Sequence, residues 1–479
     1  MTTPGQGYGQ GGGAVAMAPP SPPAVARPAA RGGTPSSDSR GPGSDGRAPG
    51  RGGRGRLAAS PLRRLWTMGT VLALLAVVFG VLTVTQVVQS ADAATSVVEH
   101  SQPLSDDAAQ IFHSLADADT TAATGFLQAG DETSAVQKQY NDDIAMASTL
   151  LAKAAGSTAS DDPGQAQIRQ LNSQLPVYTG LVETARADDR QGLPLGGAYL
   201  RFASSQLQNA MLKEAKQLYA TETDRLHHDY ADAQALPWAS IGLGLVLLAA
   251  LVWAQVRLFR GTNRVFNVGL LAASAFTAVA LIWLGTAQSL AASDLRDSNT
   301  RGAAPLQILN EAQITALQCR GAENLNLVAR GSTTDYQTLW AQVSKELAGQ
   351  GGYLDQAARM TGGDAAAQQQ VRAAVAAFST WDQRHEVAGT ANNDGDYATA
   401  VKDTIGVPGA GSTNTTDAAF TSLNSSLAAA ISHEQANFAS LAADGRNATA
   451  LLAEGAGVLA ALAAAGALLG INRRAAEYR

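Results

Sequence analysis

The 479-residue chain has one cysteine, Cys319, so no intramolecular disulfide can staple any part of it. Cys319 follows Leu317-Gln318 in mid-chain, far from any N-terminal processing point. That position argues against a lipid-anchored cysteine and for a small buried apolar side chain. Glycine-rich phosphate loops, nucleophile elbows, His-Glu-x-x-His and paired catalytic carboxylates are missing. The chain is therefore expected to be non-enzymatic, with no cofactor and no metal. Convincing runs of alternating β-branched residues are missing too, which argues against a sheet.

What the chain has is four long apolar stretches, 65–89, 237–259, 268–290 and 448–471. At roughly 1.5 Å per helical residue, each is long enough to cross a hydrocarbon layer of about 30 Å. Arginine then sets an orientation. Residues 1–64 carry nine arginines against Asp38 and Asp45, the link at 260–267 carries Arg260 and Arg264 just after Arg257, and the tail at 472–479 carries Arg473, Arg474 and Arg479. The two intervening segments are acidic: 91–236 holds 9 basic and 20 acidic residues, and 293–447 holds 10 and 16. Positive charge stays on the cytoplasmic side. Both termini and the link are thus expected inside, with 90–236 and 291–447 outside a plasma membrane crossed four times. The first stretch is preceded by 64 residues and lacks a small-residue cleavage pattern, as an uncleaved signal anchor does. The acidic outer segments exclude nucleic acid as a partner, and the basic inner ones face anionic membrane lipids.

Residues 1–60 are Gly, Pro, Ser, Ala and Arg, a composition that cannot bury enough surface to offset its ordering entropy. A disordered tail is expected over 1–64, with Ser36, Ser37, Ser39 and Ser44 open to phosphorylation. The remainder repeats its features with a period near 200 residues. Pro103-Leu104 is answered by Pro305-Leu306, Ala109-Gln110-Ile111 by Ala312-Gln313-Ile314, and the stretch ending at Gly130 by the one ending at Gly331. Apolar residues fall at 3- and 4-residue spacing: Ile111, Leu115, Ala118, Ala122 and Phe126 in one half, Ile314, Leu317, Gly321, Leu325 and Val328 in the other. Gly130-Asp131, Asp162-Pro163, Gly331-Ser332 and Asp364 punctuate the helices. The expected fold is all-α: four transmembrane helices and two tandem extracellular four-helix bundles.

That architecture resembles the four-helix-bundle sensor domain of bacterial chemoreceptors, present twice. The stretch Tyr178-Thr-Gly-Leu-Val-Glu-Thr-Ala-Arg186, continuing through Arg190 and Tyr199 to Arg201, resembles actinobacterial four-pass proteins of the GlnX type. Ala391-Asn-Asn-Asp-Gly-Asp-Tyr397 in the second half does so as well. The alanine- and glycine-heavy usage, with few lysines, is similar to that of high-GC actinobacteria. The resemblance implies a signal relay in which an extracellular solute-binding lipoprotein touches the outer domains and a cytosolic Ser/Thr kinase reads the result.

Candidate sites are few. Arg186, Arg190 and Arg201 flank a loop shaped by Gly192, Pro194, Gly196 and Gly197, and an arginine fork can grip a carboxylate or phosphate. With Tyr199 they form the expected partner-contact site, against a plainer reading in which Arg186 and Arg190 pair with Glu183, Asp188 and Asp189. Asn392, Asp394, Asp396 and Asp403 have the oxygen spacing of a calcium loop, but Tyr397 stands where that loop needs glycine; a helix cap at Asp396 fits better. Asp224 and His228 share a helical face without a third strong ligand beside His227 and Asp229, so a solvated surface is expected. Glu454 is the one clear ionisable residue inside an apolar stretch, too isolated for a conduction path. Gly455, Gly457 and Gly466 suit close helix approach in lipid, and Trp66, Trp238, Trp253 and Trp283 suit interfacial anchors. The expected function is passage of extracellular nutrient or amino-acid status across the membrane, with a homo-oligomer allowed. The rival expectation is a scaffold that assembles cell-envelope complexes.

Overall fold

The computed structural model describes residues 61–476 except 129–131, 160–161, 263–266, 331–333, 408–412 and 450–451. The tail and its serines, Gly130-Asp131, Gly331-Ser332, Arg264, Arg479 and the side chains of Glu454, Arg473 and Arg474 lie outside the described residues. All the regular structure among the described residues is helical.

Helix α1 (Pro61–Ser96) passes through a π-helical turn (Val97–Ser101) into α2 (Gln102–Leu127) without a loop. Then come α3 (Ser134–Ser157), α4 (Gly164–Arg190), α5 (Leu195–Gln206), a second π turn (Leu207–Met211) and α6 (Leu212–Ala233). Helix α7 (Trp238–Thr262) leads to α8 (Val268–Ser298), which again runs through a π turn (Asn299–Ala303) into α9 (Ala304–Ala329). The chain closes with α10 (Asp335–Ala348), α11 (Tyr353–Met360), α12 (Ala365–Asn393), α13 (Tyr397–Ile405), α14 (Thr416–Thr449) and α15 (Leu452–Ala476). The two halves therefore repeat one order of elements: a long apolar helix, a five-residue π turn, then a helix with proline in its first turn, Pro103 or Pro305. Proline is tolerated there because the first turn has no intrahelical acceptor for its missing N–H.

Three helical stretches, Trp66–Leu127, Leu195–Arg260 (interrupted between α6 and α7) and Val268–Ala329, contain segments long and apolar enough to cross a membrane. Gly457–Leu469 in α15 is a shorter apolar helix. Leu72, Ala76 and Phe79 of α1 pack with Leu247 and Leu251 of α7, Leu270 and Ala273 of α8, and Ala464 and Ala467 of α15. Their opposite faces carry exposed large apolar side chains, among them Leu74, Val81, Leu245, Ile282 and Leu469. A large exposed apolar surface of this kind suits lipid, in keeping with a membrane protein.

Helices α2–α6 form one lobe and α9–α14 the other. The caps follow short-range chemistry: Thr133 accepts from Val136 N at α3, Asp364 from Ala366 N and Ala367 N at α12, and Asp396 from Thr399 N at α13. Asp162 accepts from Gly164 N with Pro163 between them, so proline sits just before α4. The second lobe departs from a plain four-helix count. Its descending helix breaks into α10 and α11 at Gly349–Gly352, where Gly351 has φ +77° and Asp355 accepts from its N–H. A left-handed residue cannot continue an α-helix. The short α13 is a second addition.

The lobes are not separate. Helices α2 and α9 lie side by side, buried on nearly all faces, and one continuous apolar core runs through both lobes. Ile111, Leu115 and Ala118 on α2 and Ile314, Leu317 and Cys319 on α9 sit in that core, the thiol fully buried as expected from its setting.

Candidate functional site at the seam between the lobes

The arginine loop lies at the end of α4 and the start of α5. Arg186 is buried, not presented: its guanidinium donates to Glu183 Oε1 at 2.8 Å and Glu132 Oε1 at 2.9 Å and lies 4.1 Å above the Tyr140 ring. Arg190 is exposed in the last turn of α4. Gly196 packs so tightly there that an added Cβ would sit 2.9 Å from Ala185 O. Tyr199 is half-buried against the core. Arg201 reaches across to the second lobe and donates to Val328 O at 3.4 Å. The loop does expose Leu193, Leu195 and Phe202, three large apolar side chains in a short span. The four residues therefore divide: Arg186 and Arg201 hold structure together, while Arg190 faces solvent beside an apolar patch.

Asp224, His227 and His228 are exposed on α6, and Asp229 accepts from Ser96 Oγ at 2.9 Å and from Ser101 Oγ beside the first π turn. Among the described residues no group of three His, Cys, Asp or Glu side chains could hold a metal.

The densest polar geometry was not legible in the sequence and lies in the second lobe, against the seam. Glu323 on α9 is buried and accepts from Arg320 at 2.5 Å, His385 Nδ1 at 2.8 Å and Trp381 Nε1 at 3.1 Å. The His385 ring stacks on Trp340 at 3.7 Å, Trp340 meets Trp381 edge-on at 4.9 Å, and Trp381 meets Phe420 edge-on at 5.2 Å. Burial pushes the Glu323 carboxyl up, but the hydrogen bond from His385, the Arg320 charge and the Trp381 bond together outweigh it and hold the group below its ordinary range. Arg320 also donates to Thr416 Oγ1 at 3.0 Å and Asp417 Oδ1 at 2.7 Å. A buried arginine needs this many acceptors because desolvation of an unpaired cation is costly.

Above this hub a cavity of about 280 Å³ opens between the lobes. Helices α2 and α3 supply Asp117, Thr120, Thr121, Thr124 and Gln139; helices α9 and α14 supply Arg320, Asp417, Phe420 and Asn424. Beside it Asn324 Nδ2 donates to Thr120 O and Thr124 Oγ1, both at 3.1 Å, tying α9 to α2. Nearer the apolar helices Gln435 donates to Asp106 at 3.4 Å and Lys216 lies 3.8 Å from Glu311. Burial raises Asp106 to about 6 despite its bonds from Gln102 and Gln435. It raises Asp119 to about 6 as well, against donation from Ser204 at 2.7 Å and Tyr178 at 3.3 Å. Helix α2 thus carries a column of carboxylates inside the protein, with several of its polar neighbours in the other lobe.

Sequence reasoning passed over Arg320 and Glu323 because an i,i+3 charged pair ordinarily marks a solvated face. The signal that was present is the absence of other charged side chains from Leu317 to Val328, where Leu317, Cys319, Ala322, Leu325, Leu327 and Val328 surround the pair with apolar residues. No curated protein and no solved structure matches the chain. Residues 93–231, from the last turn of α1 through almost all of α6, match the family model described as an actinobacterial sensor domain, so the first lobe is similar to domains with a sensing or signalling role.

Proposed function

We propose that the chain is a non-enzymatic transmembrane relay of four passes. Both lobes stand outside the cell, and the termini and the link between α7 and α8 stand inside. The two lobes are read as a tandem duplication, on the strength of their repeated element order. The observation that carries the relay reading is that α2 and α9, the helices that form the seam, both continue without a loop into apolar spans. A shift at the seam therefore moves α1 and α8 directly. Displacements of about 1 to 2 Å between packed helices are enough to switch an interface.

The input is extracellular nutrient or amino-acid status, delivered by a solute-binding lipoprotein at the α4–α5 loop. Exposed Arg190, Leu193, Leu195 and Phe202 supply one charge and an apolar patch of the kind partners cover. The output is read by a cytosolic partner such as a Ser/Thr kinase, through the basic inner segments.

In-cell crosslinking from the outer lobes, with and without amino-acid supply, tests this. Nutrient-dependent capture of a binding lipoprotein is the expected result. Constant capture of envelope-synthesis enzymes overturns the relay in favour of a scaffold.

A further inference from the structure

We infer that the cavity between the lobes binds a small organic cation through its ammonium group. The inference deepens the relay reading and rests on it for its biological sense, but not for its chemistry.

Size comes first. A cavity of about 280 Å³ that opens to solvent has room for several waters. It takes a metabolite of amino-acid dimensions and excludes a folded peptide. Charge comes second. The lining contains one cation, Arg320, already engaged by Glu323, Thr416 and Asp417. Opposite stands Asp117, only 9% exposed, whose carboxylate receives two long hydrogen bonds of 3.3 Å, from Thr120 Oγ1 and Gln139 Nε2. Neither donor is charged. A carboxylate this buried is costly without a cation or short hydrogen bonds.

The neighbourhood has the same excess. Asp143 on α3 is pushed up to about 8, by burial first and then by the charges of Asp117 and Asp142, and its Oδ2 has no hydrogen-bond partner. Phe420 and Val136 supply an apolar wall for an alkyl stem. An ammonium group with a short carbon chain satisfies Asp117 and buries its stem. Because α2 and α3 belong to one lobe and α9 and α14 to the other, such a ligand would hold the lobes in one relative placement.

The test uses the full chain in lipid nanodiscs and calorimetric titration with putrescine, L-lysine and n-butylamine. n-Butanol and calcium chloride serve as the uncharged and inorganic controls. Saturable binding of at least one amine, with silence from both controls, is expected. Asp117→Asn should weaken it at least about tenfold, close to 1.4 kcal/mol, with the melting profile retained. Thr421→Leu, at the exposed edge of the cavity, should block it sterically should Asp117→Asn prove unstable. Absence of saturation with all three amines overturns the proposal. So does undiminished affinity in a folded Asp117→Asn or in Thr421→Leu, or equal binding of calcium alone. The titration needs no lipoprotein and no kinase, so amine binding without nutrient-dependent capture would fault the relay alone, and the reverse would fault the cavity alone.

Discussion

Asp119 and Glu323 are both buried carboxylates, and their surroundings push them in opposite directions. Asp119 sits at about 6 against an ordinary 3.8, so the native state holds a proton that the unfolded chain has released. Its contribution to stability is fully present below the ordinary value and lost as pH rises through the folded one. Asn stays neutral throughout. Asp119→Asn should therefore melt higher than the wild type at about pH 8, by something like 2 kcal/mol, and equal it near pH 4. A gain independent of pH would mean the effect is packing. Glu323 runs the other way: its stabilising effect is present above the ordinary carboxylate range and lost as pH falls through its depressed value. Glu323→Ala leaves Arg320 with Asp417 as its one carboxylate and removes the acceptor of Trp381 and His385, and should cost about 3 kcal/mol in denaturant titration. Glu323→Gln, still able to accept from Trp381 and His385, should cost less. Cys319 was legible at this scale because a lone, mid-chain thiol behaves as a small apolar side chain. Arg186 was half legible, since its pairing with Glu183 is local, but Glu132 and Tyr140 come from the other side of a turn.

Helices were legible wherever apolar residues recur every third or fourth position, and their starts were legible where Asp, Thr or Pro stands. Departures from straight helix were not. A π turn is one residue more per turn, and nothing in Val97–Ser101 or Asn299–Ala303 marks it apart from its neighbours. The small residues of the final apolar helix, by contrast, had a plain meaning that the geometry repeats. An added Cβ on Gly80 of α1 would lie 2.5 Å from Ala460 Cβ on α15, closer than real atoms approach. Gly80→Leu should thus force α1 and α15 apart, at a cost of about 1 to 3 kcal/mol. Detergent melting reads it, and Gly242→Leu on α7, where an added Cβ meets nothing within 4 Å, is the control expected to be silent. Equal effects at the two positions would show that lipid exposure, not helix approach, governs these glycines.

For the whole molecule, the decisive relation is between the seam and the two long helices that enter it. Asn324 on α9 touches both the backbone of Thr120 and the hydroxyl of Thr124 on α2, so the two lobes are registered at a defined height. A single buried cysteine makes the chain suitable for a covalent test, because Cys319 is inaccessible to oxidant. Thr124→Cys with Asn324→Cys replaces a 3.1 Å side-chain contact by a candidate disulfide. If the relay works by relative movement of α2 and α9, oxidising this pair freezes it. Lipoprotein capture should then become indifferent to amino-acid supply, and reduction should restore the dependence. Each single-cysteine variant, oxidised identically, should behave as the parent. Should the disulfide form completely and the nutrient response persist, the signal does not travel through the seam, and the unbroken run from lobe into membrane is only a support. The size of the expected effect follows from the packing: a close-packed interface has discrete arrangements rather than a continuum, so a lock at one height should remove the response, not merely dampen it.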